Sequence, residues 1–211
     1  MQLHPYSVLA SSELVGQLIF TPCPGTKDTS VSQALATLRE AGASALVTLM
    51  PSEELLQNEI DLLPEECQLL GLEWFHLPVE DDQAPGEPFA AAWEIHRERL
   101  KELVMTGKTI AIHCKGGSGR TGLFAARLMI ECGIPVQEAV AQVQALRPVQ
   151  FRTLRTSTTS TSSALPSDPS LIAIREQEHG YQSRYQWVWP YRSLGAARVL
   201  GLARVRVCAD Q

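Results

Sequence analysis

The residues whose types and spacing could do chemistry lie in one run, Lys108 to Gly122, which reads KTIAIHCKGGSGRTG. Cys114 opens a short glycine-containing stretch and Arg120 closes it, with five residues between. A thiol amid converging N–H dipoles and a guanidinium is favoured as the thiolate, which is the nucleophile. Arginine can fork onto two oxygens of a tetrahedral dianion. A nucleophile below phosphorus, with donors around its equator, is what phosphoryl transfer through a cysteinyl-phosphate requires.

The elements that must position these groups are legible on either side. Thr109 to Ile112 is a short apolar, partly β-branched run and predicts a buried strand. Leu123 to Ile130 is almost wholly apolar and predicts a buried helix that begins near Arg120. Gly116, Gly117 and Gly119 let successive backbone N–H groups of Lys115 to Arg120 point inward, and the helix N-terminus adds its positive end. The loop lacks the Gly-Lys-Ser/Thr ending of a nucleotide-binding P-loop. A buried inert cysteine beside a surface arginine would explain neither the loop glycines nor the residue after Arg120.

This run resembles the signature of the cysteine-dependent protein tyrosine phosphatase superfamily, His-Cys-(five residues)-Arg-Ser/Thr, at His113, Cys114, Gly117, Arg120, Thr121 and Gly122. With Phe20 to Gly25, Lys27 and Asp28, and with the stretch HLPVEDDQAP, it is similar to the cyclin-dependent kinase-associated phosphatase family, a compact dual-specificity branch. The likeness runs from about Leu18 to Pro148. It implies an α/β domain of three layers, a mostly parallel sheet flanked by helices. Alternating strand and helix patterns along the chain point the same way.

Thiolate attack needs an acid opposite it to protonate the leaving oxygen. Glu80, Asp81 and Asp82 sit on a loop before the catalytic strand, where an acid could swing in. An acidic surface turn is the plain alternative. The family places its acid in a Pro-(apolar)-x-Asp context, which assigns Asp81, with Asp82 one residue away as the alternative. The resemblance further implies Thr121 as a hydroxyl donor to the Cys114 sulfur. Lys115, Gly116, Gly117, Ser118, Gly119 and Arg120 become the phosphate cradle, and His113 an orienting hydrogen-bond partner. No metal or other cofactor is expected, because the cradle supplies the positive charge. His4, His76 and His179 are read as isolated and structural or exposed, Cys132 as a core residue, and Cys23 as an inert turn cysteine rather than a resolving thiol for oxidised Cys114.

Other patterns complete the expected fold. Gln17 to Phe20 predicts a strand, ended by the turn at Thr21 to Gly25. Asp28 or Ser30 caps a helix to about Ala41. Ala45 to Met50 predicts a second strand. Ser52 to Leu63 and Glu65 to Leu70 read as helices parted by Pro64. Glu73 to Val79 predicts a third strand, and Phe89 to Val104 an amphipathic helix with Phe89, Trp93, His96, Leu100 and Leu103 in register. Pro135 to Leu146 predicts a last helix, apolar at Val136, Val140 and Val143. No room is evident before the first strand for a long recognition loop, so a shallow pocket is expected.

The chain has 211 residues with a formal net charge of −5. Residues 1 to 150 carry ten Lys or Arg against nineteen Asp or Glu, and residues 151 to 211 carry eight against four. An acidic body argues against nucleic acid as the main partner. No apolar run is long enough to span a bilayer, so no membrane is expected. The five cysteines are scattered and fit no disulfide framework or zinc spacing. A catalytic thiolate needs a reducing compartment, and a cytoplasmic location is expected.

These readings predict a protein phosphatase acting on phosphotyrosine, with reach to phosphoserine and phosphothreonine in a phosphoprotein substrate. A lipid or RNA phosphatase on the same loop is the alternative, and Lys115 fits it. Ser118 stands where a second lysine would grip a polyanion. A catalytically weak phosphoprotein-binding module is the second alternative. The residues do not speak to oligomeric state.

The phosphatase domain is expected to span residues 1–149, with an atypical, disordered tail over 150–211. Nine of the eleven residues from Thr153 to Ser163 are Ser or Thr, and all eight cationic residues of the tail are Arg. Those are marks of DNA read out of frame, and the related family continues instead into a closing helix. Codons chosen for Phe151 to Ser163 can encode such a segment when read one base earlier. A genuine disordered tail that binds a partner through Tyr181, Trp187, Trp189 and Tyr191 is the other reading.

Overall fold

In the computed structural model of the chain, residues 3–146 are described, together with the backbone of 171–175 and 186–190. A five-stranded sheet is built from β1 (Ser7–Ala10), β2 (Gln17–Thr21), β3 (Ala43–Thr48), β4 (Glu73–His76) and β5 (Thr109–His113), in the order β1-β2-β5-β3-β4. Strands β2, β5, β3 and β4 run parallel, and β1 pairs antiparallel with β2 at the edge. The central place of β5 follows from its pattern, since all five of its residues are buried.

Strand β1 is not read from the sequence. Only Leu9 of its four residues is fully buried, too faint an alternation to separate from a loop. Before the first expected strand there is therefore another strand.

Helices cover both faces. On one side lie α4 (Glu87–Met105), α5 (Gly119–Glu131) and α6 (Val136–Leu146), packing Phe89, Trp93, Leu100, Phe124, Leu128 and Val143 with Phe20, Val47, Ile110 and Ile112 of the sheet. On the other lie α1 (Val31–Glu40) and α3 (Leu63–Leu69), whose Leu35, Leu38, Leu63 and Cys67 pack with Ile19, Leu46 and Ala111. Alternate residues of β2 and β5 thus serve opposite layers, as a pleated strand requires. Helix α5 is buried at every position from Arg120 to Met129, as the apolar run predicts. Ser30 is the N-cap of α1, completing a capping box with Gln33. In α6 the buried residues are Ala139 and Val143, with Val136 and Val140 only half-buried.

One helix departs from expectation. Instead of running to Leu63, α2 (Ser52–Gln57) stops early. Glu59 takes a left-handed φ of 58°, and the Ile60 N–H turns back to the Leu55 carbonyl at 3.1 Å. That turn buries Ile60 beside Cys23, Met50 and Leu55. Pro64 sits in the first turn of α3, where its missing N–H would have had no partner anyway.

Strands β6 (Leu171–Arg175) and β7 (Gln186–Pro190) pair antiparallel as a separate two-stranded sheet. The remaining residues of 150–211, including His179, Tyr181 and Tyr191, lie outside the described residues, as does the frame question they raise. No helix among the described residues is long and apolar enough to cross a membrane.

Candidate active site

The C-terminal ends of β2, β3, β4 and β5 meet at one edge of the sheet, and Cys114 follows directly on β5 there. The loop from Cys114 to Ser118 leads straight into α5, so it ends at a helix N-terminus with its unsatisfied N–H groups. Neighbouring backbone pins it. The Leu49 N–H donates to the His113 carbonyl at 3.0 Å, and the Cys23 N–H to the Lys115 carbonyl at 3.1 Å. Gly117 has a φ of +75°, and a Cβ there would stand 2.4 Å from the Thr21 carbonyl carbon and oxygen. Only glycine meets both conditions without displacing backbone.

Cys114 is buried, with 4% of its surface exposed. The Thr121 hydroxyl donates to its Sγ at 3.4 Å, from the first turn of α5. Arg120 shares that turn, and only 4% of its side chain is exposed. Its Nη1 donates to Glu54 Oε2 at 2.6 Å and to the Val79 carbonyl at 3.0 Å. Its Nη2 donates to Glu54 Oε1 at 3.0 Å and lies 3.1 Å from Asp81 Oδ1. Burial works against the guanidinium charge, but Glu54, Cys114 and Asp81 more than offset it and hold Arg120 firmly cationic.

Asp81 stands on the loop between β4 and α4, with 62% of its side chain exposed. The start of that loop is fixed to β3, since the Leu77 and Val79 N–H groups donate to the Thr48 and Leu49 carbonyls at 3.0 and 2.9 Å. Asp82 is half-buried and has a left-handed φ of 56°.

Behind the loop, Trp74 Nε1–H donates to Thr48 Oγ1 at 2.8 Å, and Thr48 Oγ1 bonds His113 Nε2 at 2.8 Å. His113 is completely buried, and burial pushes its pKa down to about 3, only partly offset by the backbone at Cys114. Burial thus favours its neutral form, as the orienting role expected of it requires.

A family model described as "Polymorphic toxin system, DSP-PTPase phosphatase" matches residues 24–134, which is 111 of the 211 residues. The chain belongs to this family. It is a phosphatase. It is similar to cyclin-dependent kinase inhibitor 3 of Rattus norvegicus, 27% identical over 147 residues that cover 68% of each chain. The crystal structure of a kinase associated phosphatase with its catalytic-site cysteine replaced by serine shares the fold. That likeness has a TM-score of 0.60 and 24% identity, over 70% of this chain and 85% of that one. PTPMT1 in complex with PI(5)P matches with a TM-score of 0.51 and 16% identity, over 68% of this chain and 83% of that one.

Of the residues expected to act in this phosphatase, Cys114, Arg120, Thr121 and Asp81 come together at one edge, with His113 behind them. Four other expectations change or sharpen. His4 is structural: it is buried, with Nε2 2.7 Å from Thr21 Oγ1 and Nδ1 3.4 Å from Thr29 Oγ1. His76 is half-buried, with Nε2 2.8 Å from the Met50 carbonyl oxygen. Cys132 is only half-buried, at the margin of the core. Cys23 is fully buried, and burial, reinforced by Cys114 and Glu54, pushes its thiol well above the ordinary cysteine range. A thiol so strongly held neutral is a poor resolving nucleophile.

Glu54 is the residue that sequence reading missed. It lies in the first turn of α2, 66 residues from Arg120, and reads in sequence as one more helix-start carboxylate. Only the meeting of α2 with α5 reveals its partner.

Proposed function

We propose that this phosphatase hydrolyses phosphomonoesters on proteins through a cysteinyl-phosphate, taking phosphotyrosine and also phosphoserine and phosphothreonine. The observation that supports it is the convergence of Cys114, Thr121 and Arg120 at the start of one helix, with a loop carboxylate 3.1 Å from Arg120. In the first step the Cys114 thiolate attacks phosphorus, an S–P bond forms, and the ester P–O bond breaks. Asp81 gives its proton to the leaving oxygen. Arg120 and the N–H groups of Lys115 to Arg120, across Gly116, Gly117, Ser118 and Gly119, hold the equatorial oxygens. In the second step water attacks phosphorus, the Asp81 carboxylate takes its proton, and the S–P bond breaks. The Thr121 hydroxyl stabilises the departing thiolate.

We take residues 1–149 as the catalytic domain and a phosphoprotein as its substrate, in a cytoplasmic setting that keeps the thiol reduced. The related kinase associated phosphatase has a catalytic-site cysteine, which supports Cys114 as the nucleophile. The match to a phosphatase family model supports turnover over a pure binding module.

The test is turnover of para-nitrophenyl phosphate in the presence of a chelator. Wild type should turn over, Cys114→Ser should not, and Cys114→Ser should still bind vanadate. Arg120→Lys should fail as well, because an ammonium cannot fork onto two oxygens. Near wild-type turnover by Cys114→Ser would refute the mechanism.

A further inference from the structure

The mouth of the cradle carries a charge imbalance that the mechanism leaves unused. Because β2, β3, β4 and β5 are parallel, the segments that leave their C-terminal ends share one rim around Cys114. Setting aside the Arg120–Glu54 pair and the acid Asp81, those segments expose Asp28, Glu53, Glu59, Asp61, Glu80 and Glu87 against Lys27 and Lys115. The one buried cation of the site, Arg120, is already matched by Glu54 and lies beside Asp81. A phosphoryl dianion in the cradle makes the mouth still more negative.

We infer that this rim selects phosphorylated residues flanked by Arg or Lys and disfavours substrates that bring further anionic groups. The inference rests on the phosphoprotein reading above. A peptide whose phosphoresidue reaches Cys114 lays its neighbouring residues across this rim, and the field of exposed carboxylates reaches about one Debye length (~10 Å at 0.1 M salt) into the solvent. The carboxylates are exposed, so each acts through a screened field. Their sum acts on encounter and on KM, and it weakens with salt. A phosphoinositide carries several anionic groups and meets the same field with the opposite sign.

The experiment compares two phosphotyrosine peptides of equal length, one with Arg on both flanks and one with Glu. kcat/KM is measured at low and at high salt, with para-nitrophenyl phosphate and phosphatidylinositol 5-phosphate vesicles alongside. The basic peptide should exceed the acidic one by about tenfold or more at low salt, and the ratio should shrink at high salt. In Glu53→Lys/Glu80→Lys, two exposed positions, the ratio should fall toward one. Equal rates, an acidic preference, or faster turnover of the vesicles than of the basic peptide would overturn the inference while leaving the phosphatase standing. No turnover of para-nitrophenyl phosphate would overturn the phosphoprotein reading, and this one with it.

Discussion

Glu54→Gln isolates what the structure adds to the signature loop. In the wild type the Glu54 carboxylate takes two hydrogen bonds from Arg120, at 2.6 and 3.0 Å, with 16% and 4% of the two side chains exposed. Glutamine keeps one acceptor and turns its NH₂ toward a guanidinium N–H, so one bond is lost and the other becomes charge-to-neutral. Hydrogen bonds to charged groups contribute about 1.5–3 kcal/mol and neutral ones about half that, so the expected loss is about 2–3 kcal/mol. Breaking a fully buried ion pair costs about 3–5 kcal/mol, and the partial exposure of Glu54 places this case at or below the lower end. A loss of about 2 kcal/mol lowers the melting temperature by roughly 4–8 °C for a domain of this size. Arg120 then loses its main orienting partner, and a misdirected fork should cost roughly 10–100-fold in kcat/KM. Thermal denaturation and para-nitrophenyl phosphate kinetics on the same preparations read both effects. Unchanged melting together with unchanged kcat/KM would refute the reasoning, because it would mean that Glu54 neither supports the fold nor aims Arg120.

Three further outcomes follow from the same geometry. Gly117→Ala combines a left-handed φ with a Cβ 2.4 Å from Thr21 backbone, so it should cost about 3 kcal/mol of stability and most of the turnover. A variant with native melting and native rate would show that the loop can shift freely. Asp81→Asn should slow hydrolysis of poor leaving groups about 10²–10⁴-fold, and much less with para-nitrophenol; if Asp82→Asn alone behaves so, the acid is Asp82. His113 is held neutral in the fold with a pKa of about 3 against an ordinary 6.5, so the unfolded chain binds the extra proton between those values. Its contribution to stability is therefore full above about pH 6.5 and is lost as pH falls toward 3; denaturation across that window should show the slope, and His113→Asn should reduce it.

Much of this protein could be read from residue order because its chemistry is local. Cys114, its hydroxyl partner Thr121, Arg120 and the loop glycines all lie within eight residues of one another on a strand–loop–helix, and backbone geometry alone brings them together. The parallel core was legible for a similar reason, since strands buried on both faces show as unbroken apolar runs. Weak signals failed. Strand β1 buries a single residue fully, and α2 ends early because Ile60 finds a hydrophobic niche that no propensity encodes. What only the tertiary structure decided are the partners that chain distance hides. These are Glu54 on Arg120 across 66 residues, Thr48 on His113 across 65, His4 under Thr21, and the Asp81 carboxylate beside the guanidinium. A carboxylate at a helix start or a threonine at a strand end looks alike wherever it occurs. Its role depends on which element packs against it, and that is set by how the two helical layers close on the sheet.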